Sequence, residues 1–220
     1  MTPDLPRFIT FEGLDGSGKS THLRRAAEWL RAAGLEVITT HEPGGTPLGD
    51  ELRRAFLDSR LKAADGIVEL LLVFASRRQH LKEVIDPALT AGAIVLCDRF
   101  TDSTVAYQGW GRGVSMAAIE VVDGQATGGR RPDLTLLFDL PAEGARTRGH
   151  SPRRQAAGTI DRLDAETLEF YGRVRDGYLA LAAAHPERFR VIDSSGEHAA
   201  TEAQVRSALA PLLAPSPAEP

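Results

Sequence analysis

Cysteine is almost missing: Cys97 stands alone among 220 residues. No internal disulfide is possible, which points to a reducing, cytoplasmic setting. Cys97 itself falls in an apolar run and reads as a small buried side chain. Lysine is nearly as scarce. Lys19, Lys62 and Lys82 are the only lysines among 26 basic residues, so a lysine inside a glycine-rich turn stands out. No stretch approaches the roughly 18 consecutive apolar residues that suggest a membrane-spanning helix, so no membrane partner is expected. The opening MTPDLPRFIT lacks the basic start and apolar run of a signal peptide. There is no positive excess either. A net charge of −4 argues against a chain built to coat nucleic acid. No repeat and no linker divides the sequence, so residues 1–213 read as one domain and APSPAEP, 214–220, as a frayed tail.

What is present is a repeating alternation. Apolar runs at Arg7–Glu12, Leu35–Thr40, Ala93–Asp98, Leu134–Leu140 and Phe189–Asp193 read as strands. Between them lie stretches of helical period. One starts at the glycine-rich turn and stops near Gly34. Another is capped by Thr46 and reaches about Leu57. A long one runs from Ile67 through Phe74 and Leu81 to Ile85, where Pro87 bends or ends it. Further helical patterns cover Ser103 to Gly128, Asp164 to Ala184 and Thr201 to Leu213. Strands that read as apolar on both faces and alternate with helices imply an α/β fold with a parallel sheet covered on both sides.

The glycine-rich turn follows the first strand directly. Gly13-Leu14-Asp15-Gly16-Ser17-Gly18-Lys19-Ser20-Thr21 fits the phosphate-binding loop pattern G-x₄-G-K-[ST], with a strand before it and a helix after it. The glycines let backbone N–H groups turn inward around phosphate oxygens, and the helix N-terminus adds partial positive charge. Lys19 is placed to reach the β- and γ-phosphates of a nucleotide and the Ser20 hydroxyl to bind Mg²⁺. Asp98 ends the most apolar strand, on the crevice rim of an open α/β sheet, where a carboxylate holds Mg²⁺ or its waters. The competing readings are a chance turn and a capping aspartate. A guanine-reading N-K-x-D is absent. These features define a nucleoside triphosphatase of some kind.

Three further stretches speak to a second ligand. HEPGGT, His41 to Thr46, lies on the same rim. In the run Asp98 to Gly109, Arg99 directly follows the crevice aspartate and could clamp a second phosphate, while Tyr107 and Gln108 bring an aromatic face and an amide. In LLVFASRRQH, an arginine four residues after an aromatic shares its helix face, as Arg78 does with Phe74, and such a pair could stack on and bond a base; a solvated surface arginine is the plainer alternative.

Taken together, FEGLDGSGKST, EPGGTPLG, ASRRQHL, DRFTDSTVAYQGWGRG and RPDLTLLFDLP resemble the bacterial thymidylate kinases, in order, from about Phe8 to Asp193. The resemblance implies the nucleoside monophosphate kinase fold with a five-stranded parallel sheet, ATP and dTMP as substrates, and a homodimer. It implies that Asp15 faces the deoxyribose 3′-hydroxyl and the Mg²⁺ shell and that Glu42 lies near the acceptor phosphate and metal. Arg99 would hold that phosphate, Arg77 read the thymine carbonyl, Thr104 meet the ring edge and Tyr107 pack on the sugar. Asp161-Arg162-Leu163-Asp164 looks like the family's D-R-x-E, which would bring Asp161 and Asp164 toward the acceptor. Where the family usually has phenylalanine four residues before the arginine, this chain has Val73. Phe74 is one place late, so either Val73 packs on the thymine or the helix is rotated so that Phe74 stacks; Arg77 is favoured by the Gln79-His80 register and Phe74 is kept as a base contact.

The loop carries Asp15-Gly16-Ser17 where some relatives place an arginine. The stretch 146–162, rich in arginine and carrying Gly149, Ser151, Pro152 and Gly158, reads as a lid. Arg153 or Arg154 would then support the transferring group, unless the stretch is only a solvated charge run. The rival readings are a kinase of the same fold for another monophosphate and a phosphate-loop switch.

Overall fold

The computed structural model describes residues 7–58, 60, 65–149 and 162–213. Five strands form one sheet: β1 (Phe8–Gly13), β2 (Val37–His41), β3 (Ile94–Asp98), β4 (Leu134–Asp139) and β5 (Phe189–Asp193). Their order is β2-β3-β1-β4-β5 and every pairing is parallel. The expectation of strands buried on both faces holds for β1, and for β3 and β4 up to their last residues. It fails for β2 and β5, where exposed positions interrupt the buried ones. These are the two edge strands, and an edge is covered less completely than a centre.

Helices cover both faces. On one, α1 (Lys19–Ala32) and α9 (His198–Leu209) pack Leu23, Leu30, Val205 and Leu209 against Ile9, Phe11, Leu96, Leu136 and Phe138. On the other, Phe8, Val95, Cys97 and Phe100 meet Leu81 and Ile85. Cys97 is buried and unpaired, and burial raises its thiol well above the usual range. Farther along this side, α8 (Leu168–Ala184) sets Phe170, Val174 and Tyr178 against Tyr107 and Leu137.

Two helices depart from the regular period. α3 (Gly66–His80) does not end near Pro87. It passes through a π-turn at Leu81–Ile85 into α4 (Asp86–Thr90), where the Asp86 N–H donates to the Leu81 carbonyl. That five-residue reach re-phases the helix so that Pro87 falls at the first turn of α4, a position where its missing N–H breaks nothing. After β3, α5 (Thr101–Thr104) runs into a second π-turn, Val105–Gly111, before α6 (Met116–Thr127). The helical patterns read over Ser103–Gly128 thus form two helical segments, separated at 112–115. Gly111 sits where the π-turn meets α8: a Cβ there would lie 2.7 Å from the Phe170 ring. Thr46 caps α2 (Pro47–Leu57) by accepting the Gly49 N–H at 3.0 Å. The arginine-rich stretch begins on α7 (Ala142–Gly149); Arg153, Arg154 and Asp161 lie outside the described residues.

Candidate active site

The carboxyl ends of β1, β2 and β3 open onto one crevice, as an open parallel sheet dictates. After β1 the chain turns through Gly13, Gly16 and Gly18, all at positive φ. Gly13 tolerates no side chain, since a Cβ would come 2.4 Å from the Phe138 carbonyl oxygen. Gly18 starts α1 without any side-chain cap, which leaves the helix N-terminus to a ligand. Lys19 is buried. Its Nζ donates to the Leu14 carbonyl at 3.3 Å and lies 3.6 Å from Asp15 Oδ1. Burial, and then the nearby Arg99, lower its pKa. The Ser20 hydroxyl donates to Asp98 Oδ2. Asp98 Oδ1 and the Ser17 hydroxyl are buried with no hydrogen-bond partner. Unpaired buried oxygens of this kind are uncommon and call for a missing ligand.

A cavity here is lined by Asp15, Gly16, Gly18, Lys19, Ser20, Thr21, Asp98 and Arg148, among others. Arg148 reaches it from α7, anchored on the Ser194 and Ser195 carbonyls at 2.8 and 3.0 Å. Gly13 and Leu14 do not line it; the Leu14 side chain belongs to the core below the loop. Among the described residues no three His, Cys, Asp or Glu side chains cluster so as to hold a metal ion unaided. A hydroxyl and one or two carboxylates fit instead an ion that keeps several waters and shares phosphate oxygens, the habit of Mg²⁺.

A second cavity adjoins the first. It is lined by Phe56, Val73, Arg77, Thr104, Tyr107, Gln108 and Leu163, among others. Arg77 is 1 % exposed. Its Nε donates to Glu42 at 2.6 Å and its Nη2 to the Thr104 hydroxyl at 3.0 Å, while Nη1 has no protein partner. The Phe74 and Phe100 rings lie 4.6 and 4.9 Å from the guanidinium. Phe74 was expected as a base contact, and here the structure corrects the sequence. Val73 and Arg77, four residues apart, share the cavity face of α3. Phe74 is rotated off it into a cluster with Leu70, Ile119 and Ala126. Its ring backs the arginine rather than the cavity. Arg78 points away, toward the Ala126 carbonyl.

Glu42 lines the phosphate-loop cavity as well as this one. Its carboxylate is engaged by Arg77 on one oxygen and by His80 Nδ1 at 2.9 Å on the other, with His80 Nε2 2.6 Å from the Thr40 hydroxyl. Glu42 therefore forms part of the wall that fixes Arg77. Gln108 donates to the buried Glu69 at 3.0 Å, a carboxylate that also takes Arg112 and Arg162.

Four residues line both cavities: Asp15, Glu42, Arg53 and Arg99. Arg99 is held at φ +74°, the only non-glycine at positive φ among the described residues. Its guanidinium donates to Asp15 at 2.9 Å and to the hydroxyls of Ser103, Tyr178 and Tyr107 at 3.1, 3.1 and 3.2 Å. Tyr107 is kept protonated by burial. Arg53 donates to the Pro43 carbonyl at 2.9 Å from α2. Sequence reasoning missed Arg53 and Phe56, although their i, i+3 spacing on a helix leaving the crevice rim was a signal. It also missed Glu12, a lone carboxylate inside an apolar strand.

A phosphate loop facing one cavity and an arginine-lined pocket adjoining it define a phosphotransferase of the phosphate-loop kinase class. Comparison with known proteins narrows this. The thymidylate kinase family model matches residues 11–205. Curated relatives named thymidylate kinase include one from a Geobacter species, 50% identical with 92% of this chain and 90% of the relative covered. Another, from Pseudomonas fluorescens, is 48% identical over 94% of this chain and 96% of its own. The crystal structure of thymidylate kinase from Ehrlichia chaffeensis matches with a TM-score of 0.73 and 35% identity, covering 92% of this chain and 97% of that one. The chain belongs to the thymidylate kinase family.

Proposed function

We propose that the protein transfers the γ-phosphoryl group of ATP to dTMP, giving dTDP and ADP. The observation that carries this reading is the pair of adjoining cavities sharing Asp15, Glu42, Arg53 and Arg99. ATP occupies the phosphate-loop cavity and dTMP the Arg77 cavity, so that the two polyanions meet at Arg53 and Arg99. The acceptor phosphate oxygen is already anionic at neutral pH and needs no general base. Catalysis then rests on placement and on stabilising charge spread over the transferring group. Lys19 moves from the Leu14 carbonyl to the phosphates. Ser20, Asp98 and Asp15 would hold Mg²⁺, which supplies charge neutralisation across the phosphates. Arg77 Nη1 donates to a thymine carbonyl, Thr104 and Gln108 border the ring, Val73 and Phe56 give the apolar walls, and Tyr107 packs beside the sugar. Arg153 or Arg154, outside the described residues, would supply the remaining positive charge at the transferring group.

The exposed apolar side chains Ile67, Val68 and Leu71 of α3 and Met116 and Val121 of α6 lie on two helices that pack together. They support a homodimer formed through this face. Among the described residues no helix is long and apolar enough to cross a membrane, and the unpaired Cys97 suits a reducing cytoplasm.

The test is ADP release with Mg²⁺, ATP and each of dTMP, dUMP, dCMP, dGMP and dAMP. Strong dependence on dTMP is expected, with weak turnover of dUMP. Preference for another monophosphate would overturn the base assignment, and release indifferent to any acceptor would overturn the kinase. In the same assay, replacing Arg153 and Arg154 together by alanine should lower kcat on the order of a hundredfold or more; unchanged kcat would remove them from the mechanism.

A further inference from the structure

Glu12 does not line either cavity, yet it is fully buried directly behind them. It is the last side chain of β1 before the phosphate loop, on the face opposite Phe11. Its carboxylate takes three hydrogen bonds: the Phe100 N–H on Oε1 at 2.7 Å, and the hydroxyls of Ser103 and Tyr178 on Oε2 at 2.5 and 2.9 Å. Those same two hydroxyl oxygens accept from Arg99 Nη1 at 3.1 Å each. The backbone of Arg99 is pinned as well. Its own N–H donates to the Phe11 carbonyl at 3.0 Å, and the next N–H is the one that Glu12 accepts. A left-handed arginine persists only where its surroundings over-determine it, and β1 supplies both restraints.

We propose that Glu12 is a positioning residue for acceptor binding: through Ser103, Tyr178 and the Phe100 N–H it fixes the backbone turn and the guanidinium direction of Arg99. When ionised, Glu12 accepts from both hydroxyls, which also lie 2.7 Å from each other, and this leaves their lone pairs for Arg99. A neutral amide at position 12 would offer its own protons to one of these oxygens and break that polarity. Asp102, a second carboxylate close to Glu12, is directed elsewhere: Arg188 donates to both its oxygens at 2.7 and 2.8 Å. The inference rests on the reading of Arg99 as the acceptor-phosphate ligand.

The experiment is steady-state kinetics at pH 8.5, where the Glu12 carboxyl is ionised, with dTMP and ATP varied in turn, on the wild type and on Glu12→Gln, Tyr178→Phe, Arg99→Lys and Glu12→Gln/Arg99→Lys. Glu12→Gln should raise KM for dTMP about tenfold or more, the range for loss of order at a charged hydrogen bond, and leave KM for ATP within about twofold. Tyr178→Phe should act in the same direction more weakly, and it keeps the test open if Glu12→Gln fails to fold. In the Arg99→Lys background, Glu12→Gln should add little, because its effect passes through Arg99. Equal rises in both KM values, or full additivity in the double variant, would overturn the positioning role. If the wild type shows no saturation by dTMP at all, it is the acceptor reading that fails.

Discussion

Buried charge decides most of what individual residues do in this protein. Desolvation, with a smaller push from Asp102, raises the Glu12 carboxyl to about 7 from an ordinary 4.5. The folded chain thus keeps a proton on Glu12 at pH values where the unfolded chain has released it. The stabilisation linked to that proton is complete below about pH 4.5 and is lost as pH rises through 7. Replacing Glu12 by Gln removes this dependence. The difference in unfolding free energy between variant and wild type should therefore shift in the variant's favour between pH 5 and pH 8.5, by an amount on the order of 3 kcal/mol. Urea unfolding at the two pH values measures it, and a difference that does not change with pH would contradict the buried-carboxyl account. Arg77 shows how far such sites are legible. ASRRQH marks an arginine, but two stand side by side. Only the packing of Phe74 into α6 settles that Val73 and Arg77 share the cavity. Hydrophobic spacing cannot rank two neighbouring positions on a helix that is apolar on most sides.

At the scale of elements, the strands and the phosphate loop were legible because their signals are local: apolar runs, glycines and a capping threonine. The edge strands β2 and β5 were read as too buried, since strand order is a long-range property that a run of five residues does not carry. The two π-turns were not legible either. Each widens a helix by one residue, and the second one carries Tyr107 and Gln108 into the cavity wall. Arg53 and Phe56 were missed because α2 reads as an ordinary surface helix until the crevice is seen to lie beside it. The outer faces of α3 and α6 carry the other element-scale consequence. Leu71 is the most exposed of the three α3 side chains, at 53%. Leu71→Glu should convert a dimer at micromolar concentration to a monomer by sedimentation velocity without unfolding it. A wild type that sediments as a monomer, or a variant that stays dimeric, would contradict the proposed interface.

For the molecule as a whole, the parallel sheet brings the loop after β1, the rim after β2 and the Asp98-Arg99 corner after β3 to one edge. Three stretches far apart in sequence thereby form two cavities that share four residues. A switch that only hydrolyses ATP would have no need of the second cavity, with its buried arginine left one acceptor short. The most direct measurement is to follow the label from ATP carrying a radioactive γ-phosphate, incubated with the protein, Mg²⁺ and dTMP. The account predicts that the label appears in dTDP, with little inorganic phosphate released. Label that appears mainly as inorganic phosphate, whether or not dTMP is present, would contradict it.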